Sequence, residues 1–480
     1  MISGRIAGAV LASLGALTLV SCSTELDGNP VSSLNNPFLV AGLPATDGPN
    51  GLRRDAPAAS RDPLNSDGGS IDELAAGATT DIEEFWEEVF GTEFGGRFAP
   101  VEEIVSYDAT ERPGLVICGE DTEGFVNAFF CSSQDIIGWD RGVLMPSLRR
   151  SFGDMGVVKV IAHEYGHSVQ EQADLVDDRT PTLVSEQQAD CLAGVYLRWV
   201  AEGNSPRFTL NTSDGLNDVL AATVAVRDQP MSADEVTPGS TDHGSAFERV
   251  SAFQSGFTNG AAACAAIDEE EVAQRRGNLP VLLPDDETGE LPVSEDSVTS
   301  VVDALNIVFA PEQEPELVFD RSPERCDDAA PSPPVSYCPA ANTITVDLQE
   351  LRAEGESFED PGDSMVLAGD NTAYSMLASR YMLAIQHEQG LTLDNPTAAL
   401  RTACFTGVAT TKLAGGDGNS DDLPITLTAG DLDEAVTGLL ANGLAASDVN
   451  GQTVPSGFSR VDAFRSGVLG TEGSCLRRFP

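Results

Sequence analysis

Residues 248–264, ERVSAFQSGFTNGAAAC, align without a gap with residues 459–475, SRVDAFRSGVLGTEGSC. Arg249/Arg460, Val250/Val461, Ala252/Ala463, Phe253/Phe464, Ser255/Ser466, Gly256/Gly467 and Cys264/Cys475 coincide. Two more stretches recur in the same order: FFCSSQDIIGWD at 129–140 with SYCPAANTITVD at 336–347, and ADCLAGVY at 189–196 with TACFTGVA at 402–409. Self-similarity of this kind restricts the chain to architectures built twice. A length of 480 residues has room for two cores. The repeat predicts copies near 79–266 and 296–480, joined by the acidic, proline-containing run 267–295.

The repeat also organises the cysteines. Cys22 aside, eight remain: Cys118, Cys131, Cys191, Cys264, Cys326, Cys338, Cys404 and Cys475. An even number in an exported chain points to disulfides. Spacing alone does not fix their pairing. The repeat favours pairs within each copy, 118–131 and 191–264 in the first, 326–338 and 404–475 in the second. Bridges between copies are the alternative.

The chemistry is concentrated in VVKVIAHEYGHSVQEQ at 157–172. Residues four apart on a helix share a face, so His163 and His167 can point two imidazoles at one zinc ion. Glu164, beside the first, can take a proton from a water that the ion polarises. The apolar run Val157–Ala162 suits a buried helix, and Gly166 lets another group approach the metal-bearing turn. The chain has only four histidines, which makes a chance pairing in this pattern rare. Two ordinary histidines on a helix face are the bland alternative. A catalytic zinc needs a third protein ligand. In SEQQADCLAG at 185–194, Glu186 and Asp190 lie four apart beside an apolar run. Glu186 suits the third ligand, and Asp190 suits the group that accepts a histidine N–H. The reverse assignment, Asp190 as ligand, stays open.

HEYGHSVQ at 163–170, EQQADCLAGVY at 186–196 and HGSAFERVSAFQSGF at 243–257 resemble the neutral zinc metallopeptidase family, bacterial proteins of gluzincin type. TTDIEEFWEEVF at 79–90 and the pair Cys118/Cys131 are similar too, so the resemblance spans about 79–264. It implies His163, His167 and Glu186 as ligands, Glu164 as the catalytic residue, and a peptide or protein substrate.

Secondary-structure patterning predicts helices at 82–90, 153–172, 183–203, 216–227 and 245–256, and strands at 101–107, 126–130 and 136–139. The expected class is α+β, zincin-like, mostly helical with one small sheet per copy. That sheet, beside the metal helix, could take an extended peptide along its edge. His243 precedes the last of these helices. It is a candidate to stabilise an oxyanion, or else a helix-cap histidine. Tyr165, Trp86 and Trp199 read as structural.

Aligning Ala162 with Ala378 sets Ser379, Arg380 and Leu383 against His163, Glu164 and His167. Ala399 and Ala403 face Glu186 and Asp190, and Val454 faces His243. Copy two therefore reads as non-catalytic, and His387 as a surface histidine.

Residues 1–22 read as a secretory signal: Arg5, then the apolar run 6–20, then Leu19-Val20-Ser21-Cys22, which resembles a bacterial lipobox. A lipid on Cys22 would anchor the protein to the membrane outside the cytoplasm; an ordinary signal with an incidental cysteine is the alternative. Residues 23–78, rich in Asn, Pro, Gly and Ser, read as a disordered tether. A formal charge of −49 argues against nucleic acid as a partner. The expectation is a secreted, lipid-anchored zinc metallopeptidase. Its rivals are another zinc hydrolase, such as an envelope amidase, and a metal-containing scaffold lipoprotein.

Overall fold

The computed structural model describes residues 35–228, 232, 243–276, 279–280, 282–283, 289–321, 325–356, 369–414 and 423–480. The expected signal, Cys22 and the first part of the expected tether lie outside the described residues. Residues 33–480 form one compact unit. Among the described residues, no helix is long and apolar enough to cross a membrane.

The first half begins with three short strands, β1 (Leu39–Val40), β2 (Leu43–Pro44) and β3 (Gly51–Leu52), then α1 (Ser70–Glu93). Next come β4 (Glu103–Tyr107), β5 (Val116–Ile117), β6 (Glu120–Asp121), β7 (Ala128–Cys131) and β8 (Ile136–Asp140). Five helices and one strand follow: α2 (Leu144–Gln172), α3 (Thr182–Ala201), β9 (Phe208–Thr209), α4 (Asp214–Ala225), α5 (Ala246–Asn259) and α6 (Ala261–Ala265). Then α7 (Glu269–Arg276) lies inside the expected linker. It is docked, because Arg275 donates to Gln187 and to the Glu248 carbonyl, each at 3.0 Å.

The second half holds α8 (Glu295–Phe309), β10 (Glu316–Phe319), β11 (Val335–Cys338), β12 (Thr343–Val346), α9 (Leu348–Gly355) and α10 (Asp370–Glu388). It ends with α11 (Pro396–Leu413), α12 (Asp431–Ala441), α13 (Gly457–Val468) and α14 (Glu472–Arg478). The whole is a mixed α/β body dominated by helices.

From residue 35 onward, the expected tether is instead part of the folded body. β3 pairs antiparallel with β9, and the Arg53 guanidinium donates to the carbonyls of Ser205 and Phe208 at 3.2 and 3.0 Å. Residues 70–78 open α1, where Leu74, Ala75 and Ala78 are buried. A polar, Pro- and Gly-rich stretch has ordered here because its backbone groups find partners elsewhere in the fold, Arg53 N–H at the Arg207 carbonyl and Leu64 N–H at the Ile104 carbonyl among them.

Each half carries one three-stranded sheet. The orders are β4-β8-β7 and β10-β12-β11, each with one parallel and one antiparallel pairing. Two-stranded ribbons β1–β2, β3–β9 and β5–β6 add to the single sheet expected in the first half. Asp140 closes the first sheet and accepts the N–H groups of Val143 and Leu144, which starts α2. Asp347 does the same for α9 through Gln349 and Glu350. α2 begins nine residues before the expected start at 153. Gly153, at φ 66° and ψ −171°, breaks it there, a conformation that suits glycine alone.

The disulfides are Cys118–Cys131, Cys191–Cys264, Cys326–Cys338 and Cys404–Cys475, all within a half. Helices α3 and α5 touch backbone to backbone: a Cβ on Gly256 would lie 1.8 Å from the Cys191 carbonyl oxygen, and one on Gly194 2.3 Å from that of Phe253. α11 and α13 meet in the same way at Gly467 and Gly407, at 1.8 Å from Cys404 O and 2.1 Å from Phe464 O.

Candidate metal centre

His163 and His167 lie one turn apart on α2, in a segment buried because Val157, Val158, Ile161 and Val169 fill the core around it. Glu186 comes from the first turns of α3. Gly166 brings the two helices together, since a Cβ there would stand 2.8 Å from Ala189 Cα. One ligand atom from each of His163, His167 and Glu186 falls within a 4.8 Å group. His163 Nε2 is 3.0 Å from Glu186 Oε2, and His167 Nε2 is 3.4 Å from Glu186 Oε1.

The other nitrogen of each ring is engaged. His163 Nδ1 donates to Asp190 Oδ1 at 2.9 Å, and His167 Nδ1 is 3.0 Å from Gln170 Oε1. Both Nε2 atoms therefore face Glu186. Two imidazole nitrogens and a carboxylate, with an acid behind one ring, form a donor set that zinc takes. The residues present fit that ion. Glu164 adjoins the first histidine and is 8% exposed.

The electrostatics agree with a cation site. Burial opposes the charge of Glu186, but the two imidazoles outweigh it and hold the carboxyl far below its usual range. Burial likewise opposes a charged His167, yet Glu186, Glu164 and Gln170 carry its pKa up to about 9.

Asp190 is fully buried. Besides His163, it accepts from Lys159 Nζ at 2.9 Å and from Arg249 Nε and Nη2 at 2.7 and 3.1 Å. Burial alone would raise its pKa; Arg249, Lys159 and His163 reverse that and hold it well below the usual range. With both its oxygens engaged in this network, Asp190 sits behind His163 rather than beside Glu186. No motif singles out Lys159 or Arg249. Two faint signals exist: Lys159, one of two lysines in the chain, stands inside an apolar run one turn before His163, and Arg249 recurs in the repeat.

His243 lies apart from the three-residue group. Its backbone N–H and Nδ1 both bond Asp228, at 2.9 and 3.1 Å, and its side chain is 47% exposed. That bond holds the imidazole pKa above its ordinary value, with Glu186 adding to the effect. Tyr165 donates to Glu83 of α1, a packing role. Trp86 is buried, and Trp199 packs on Phe85 and Tyr196.

Among the described residues of the second half, no metal-type group gathers at the positions equivalent to His163, His167 and Glu186. Arg380 is buried and donates to the carbonyls of Asp448 and Leu444, each at 2.8 Å, and to Ser447 Oγ. Arg460 donates to the carbonyls of Leu439, Leu440 and Val454. Leu383, Ala399 and Ala403 are buried, and His387 is exposed.

A histidine pair one turn apart on a buried helix, joined by a glutamate from the next helix, makes an H-E-x-x-H group that could hold a metal ion. Residues 49–267 match the family model described as "Putative neutral zinc metallopeptidase". An Escherichia coli K12 relative, "Uncharacterized protein YpfJ", is 29% identical over 242 residues, which cover 46% of this chain and 80% of that protein. A Mycobacterium tuberculosis relative, "Uncharacterized protein Rv2575", is 30% identical over 154 residues, 28% of this chain and 53% of that one. No solved structure gives a significant match.

Proposed function

We propose that the chain is a zinc-dependent metallopeptidase with one zinc, held in the first half by His163, His167 and Glu186. The observation that carries this reading is the convergence of those three side chains within 4.8 Å, beside Glu164. When bound, zinc supplies a Lewis acid that polarises a carbonyl and makes a water acidic near neutral pH. Glu164 takes the proton of the attacking water and passes it to the leaving amine. Asp190 orients His163 through Nδ1. A protonated His243 donates to the oxyanion, and Asp228 favours that protonation. An extended peptide lies along β7, the strand that ends the sheet.

A site that only braces a fold needs ligands and no base, and it closes around its ion. Here the side chains of His163, His167 and Glu186 keep 8%, 18% and 12% of their exposure. That exposure supports a reactive centre over a scaffold.

We infer, further, that the second half is a non-catalytic duplicate of the first. The shared sheet order, disulfide pattern and glycine contacts support it, as do the alanines and Arg380 at the chemical positions. We also propose that Cys22 carries a lipid that anchors the protein outside the cytoplasm. Mass spectrometry of the N-terminal peptide tests the anchor: an unmodified Cys22 in the mature protein rules it out.

The function is tested by zinc stoichiometry and peptide hydrolysis in the native protein and Glu164→Gln. One zinc in both, with hydrolysis only in the native protein, is the expected result. Native protein without zinc overturns the proposal.

A further inference from the structure

The two halves exchange helix caps. Asp433 of α12 reaches into the first half and accepts the N–H groups of Ala246 and Phe247, each at 3.0 Å. These are the first two amides of α5, groups that no intrahelical partner can satisfy. Ser245 Oγ takes the third, from Glu248, at 3.2 Å. In return, Asn217 of α4 accepts the N–H of Gly457, the first residue of α13, at 2.7 Å. Gln254 of α5 donates to the Phe458 carbonyl at 2.9 Å, and Arg465 of α13 to the Ser251 carbonyl at 3.3 Å. The contact is close to self-complementary, like that of a two-fold dimer.

The exchange is unequal in what it supports. α13 carries no metal-centre residue. α5 carries Arg249, whose guanidinium holds both oxygens of Asp190, which in turn holds His163 Nδ1. Asp433 also lies 3.6 Å from Arg227 Nε. Arg227 precedes Asp228, the partner of His243. One carboxylate thus fastens both the chain leading to Asp228 and the chain leaving His243. Burial pushes the Asp433 pKa up to about 6, while the Ala246 and Phe247 amides and Arg227 favour its carboxylate form.

We propose that Asp433, contributed by the half that lacks His163 and His167, is a positioning residue for the metal centre of the other half. It fixes the N-terminus of α5, and through Arg249 and Asp190 it sets His163. The second half thereby completes a centre that the first half does not hold by itself. This rests on the zinc reading of His163, His167 and Glu186.

The test is zinc affinity of the full chain, measured by competition with a chromophoric chelator, together with urea unfolding of the zinc-free protein. Asp433→Ala should weaken zinc severalfold, less than the roughly tenfold to hundredfold loss that follows removal of a partner directly behind a ligand, here Asp190. Asp433→Asn, which keeps one acceptor oxygen, should recover part of the loss. Asn217→Ala removes the reciprocal cap and should leave zinc affinity unchanged. If Asp433→Ala and Asn217→Ala alter affinity equally, or Asp433→Ala lowers stability alone, the residue merely braces the interface and the inference fails. If the native protein binds no zinc, the functional proposal fails and takes this inference with it. If native protein binds zinc and Asp433→Ala binds it as tightly, only this inference fails.

Discussion

α2, α3 and α5 of the first half and α10, α11 and α13 of the second are alike in backbone and opposite in chemistry. In both, two helices are pressed together through paired glycines and locked by a long-range disulfide. In the first half the space between helices is filled by ionisable groups that answer one another: Lys159, Asp190, Arg249, His163, Glu186. In the second, Arg380 and Arg460 fill it by donating to backbone carbonyls. Arg249 and Arg460 make the point most directly. Arg249 donates to the Asp190 carboxylate as well as to a carbonyl, whereas Arg460, which the sequence repeat aligns with it, donates to carbonyl oxygens alone. The second half has the same glycine-paired packing without the ionisable network, so that packing does not require it.

The largest contrast lies between Glu164 and Arg380, which the repeat sets at one position. Glu164→Gln should lower peptide hydrolysis by about a thousandfold while leaving zinc content unchanged. Arg380→Gln should leave kcat near native but destabilise folding by about 3 kcal/mol in urea titrations, because buried carbonyls lose their donors. Equal effects on activity would break the comparison.

Next come the long-range disulfides, which close loops of 73 and 71 residues. Loop-closure entropy puts either at about 4 kcal/mol. Paired alanine variants of 191/264 and 404/475 should therefore lower the urea midpoint alike. A much smaller loss for 404/475 would mean the second half is held by other contacts. Gly256→Ala and Gly467→Ala form a smaller pair. Each Cβ would meet a carbonyl oxygen at 1.8 Å, and each should cost about 2–3 kcal/mol.

A further expected effect belongs to the second half alone. Asp370, Asp431 and Glu434 offer carboxylate oxygens within 4.8 Å of one another, all buried. Burial lifts their pKa values to about 7, 6 and 9, reinforced by repulsion from within the cluster at Asp370 and Glu434 and from Glu290 at Asp431. Folded values above the unfolded ones mean that the stabilisation is complete below about pH 4 and is lost as pH rises through 6 to 9. Raising pH from 5 to 9 in chelator should thus lower the urea midpoint of native protein more than that of Glu434→Gln. Parallel curves would show that the cluster does not titrate in this range.

Much of the centre is legible in the sequence because its signal is local. HEYGH and E-x-x-x-D place residues four apart on helices, and apolar neighbours mark those helices as buried. The repeat carries the disulfide pairs, which spacing alone leaves open. Three things are hidden. Order in residues 46–53 comes from pairing with residues 205–213, and order in residues 60–65 from bonds to α1 and β4; nothing in the local composition announces either. The Lys159–Asp190–Arg249 network needs three helices to converge, and no one of them shows it. Asp433 acts on a helix 187 residues away, beyond any periodicity argument.

Lys159 has one more consequence. The chain has two lysines, and neither amine is freely presented: Lys159 is sealed behind His163, while Lys412 lies half-buried over the Phe309 ring. An acylating reagent therefore does not reach the Lys159 amine until the protein opens. The rate at which Lys159 is labelled becomes a clock for separation of α2, α3 and α5, readable from one peptide.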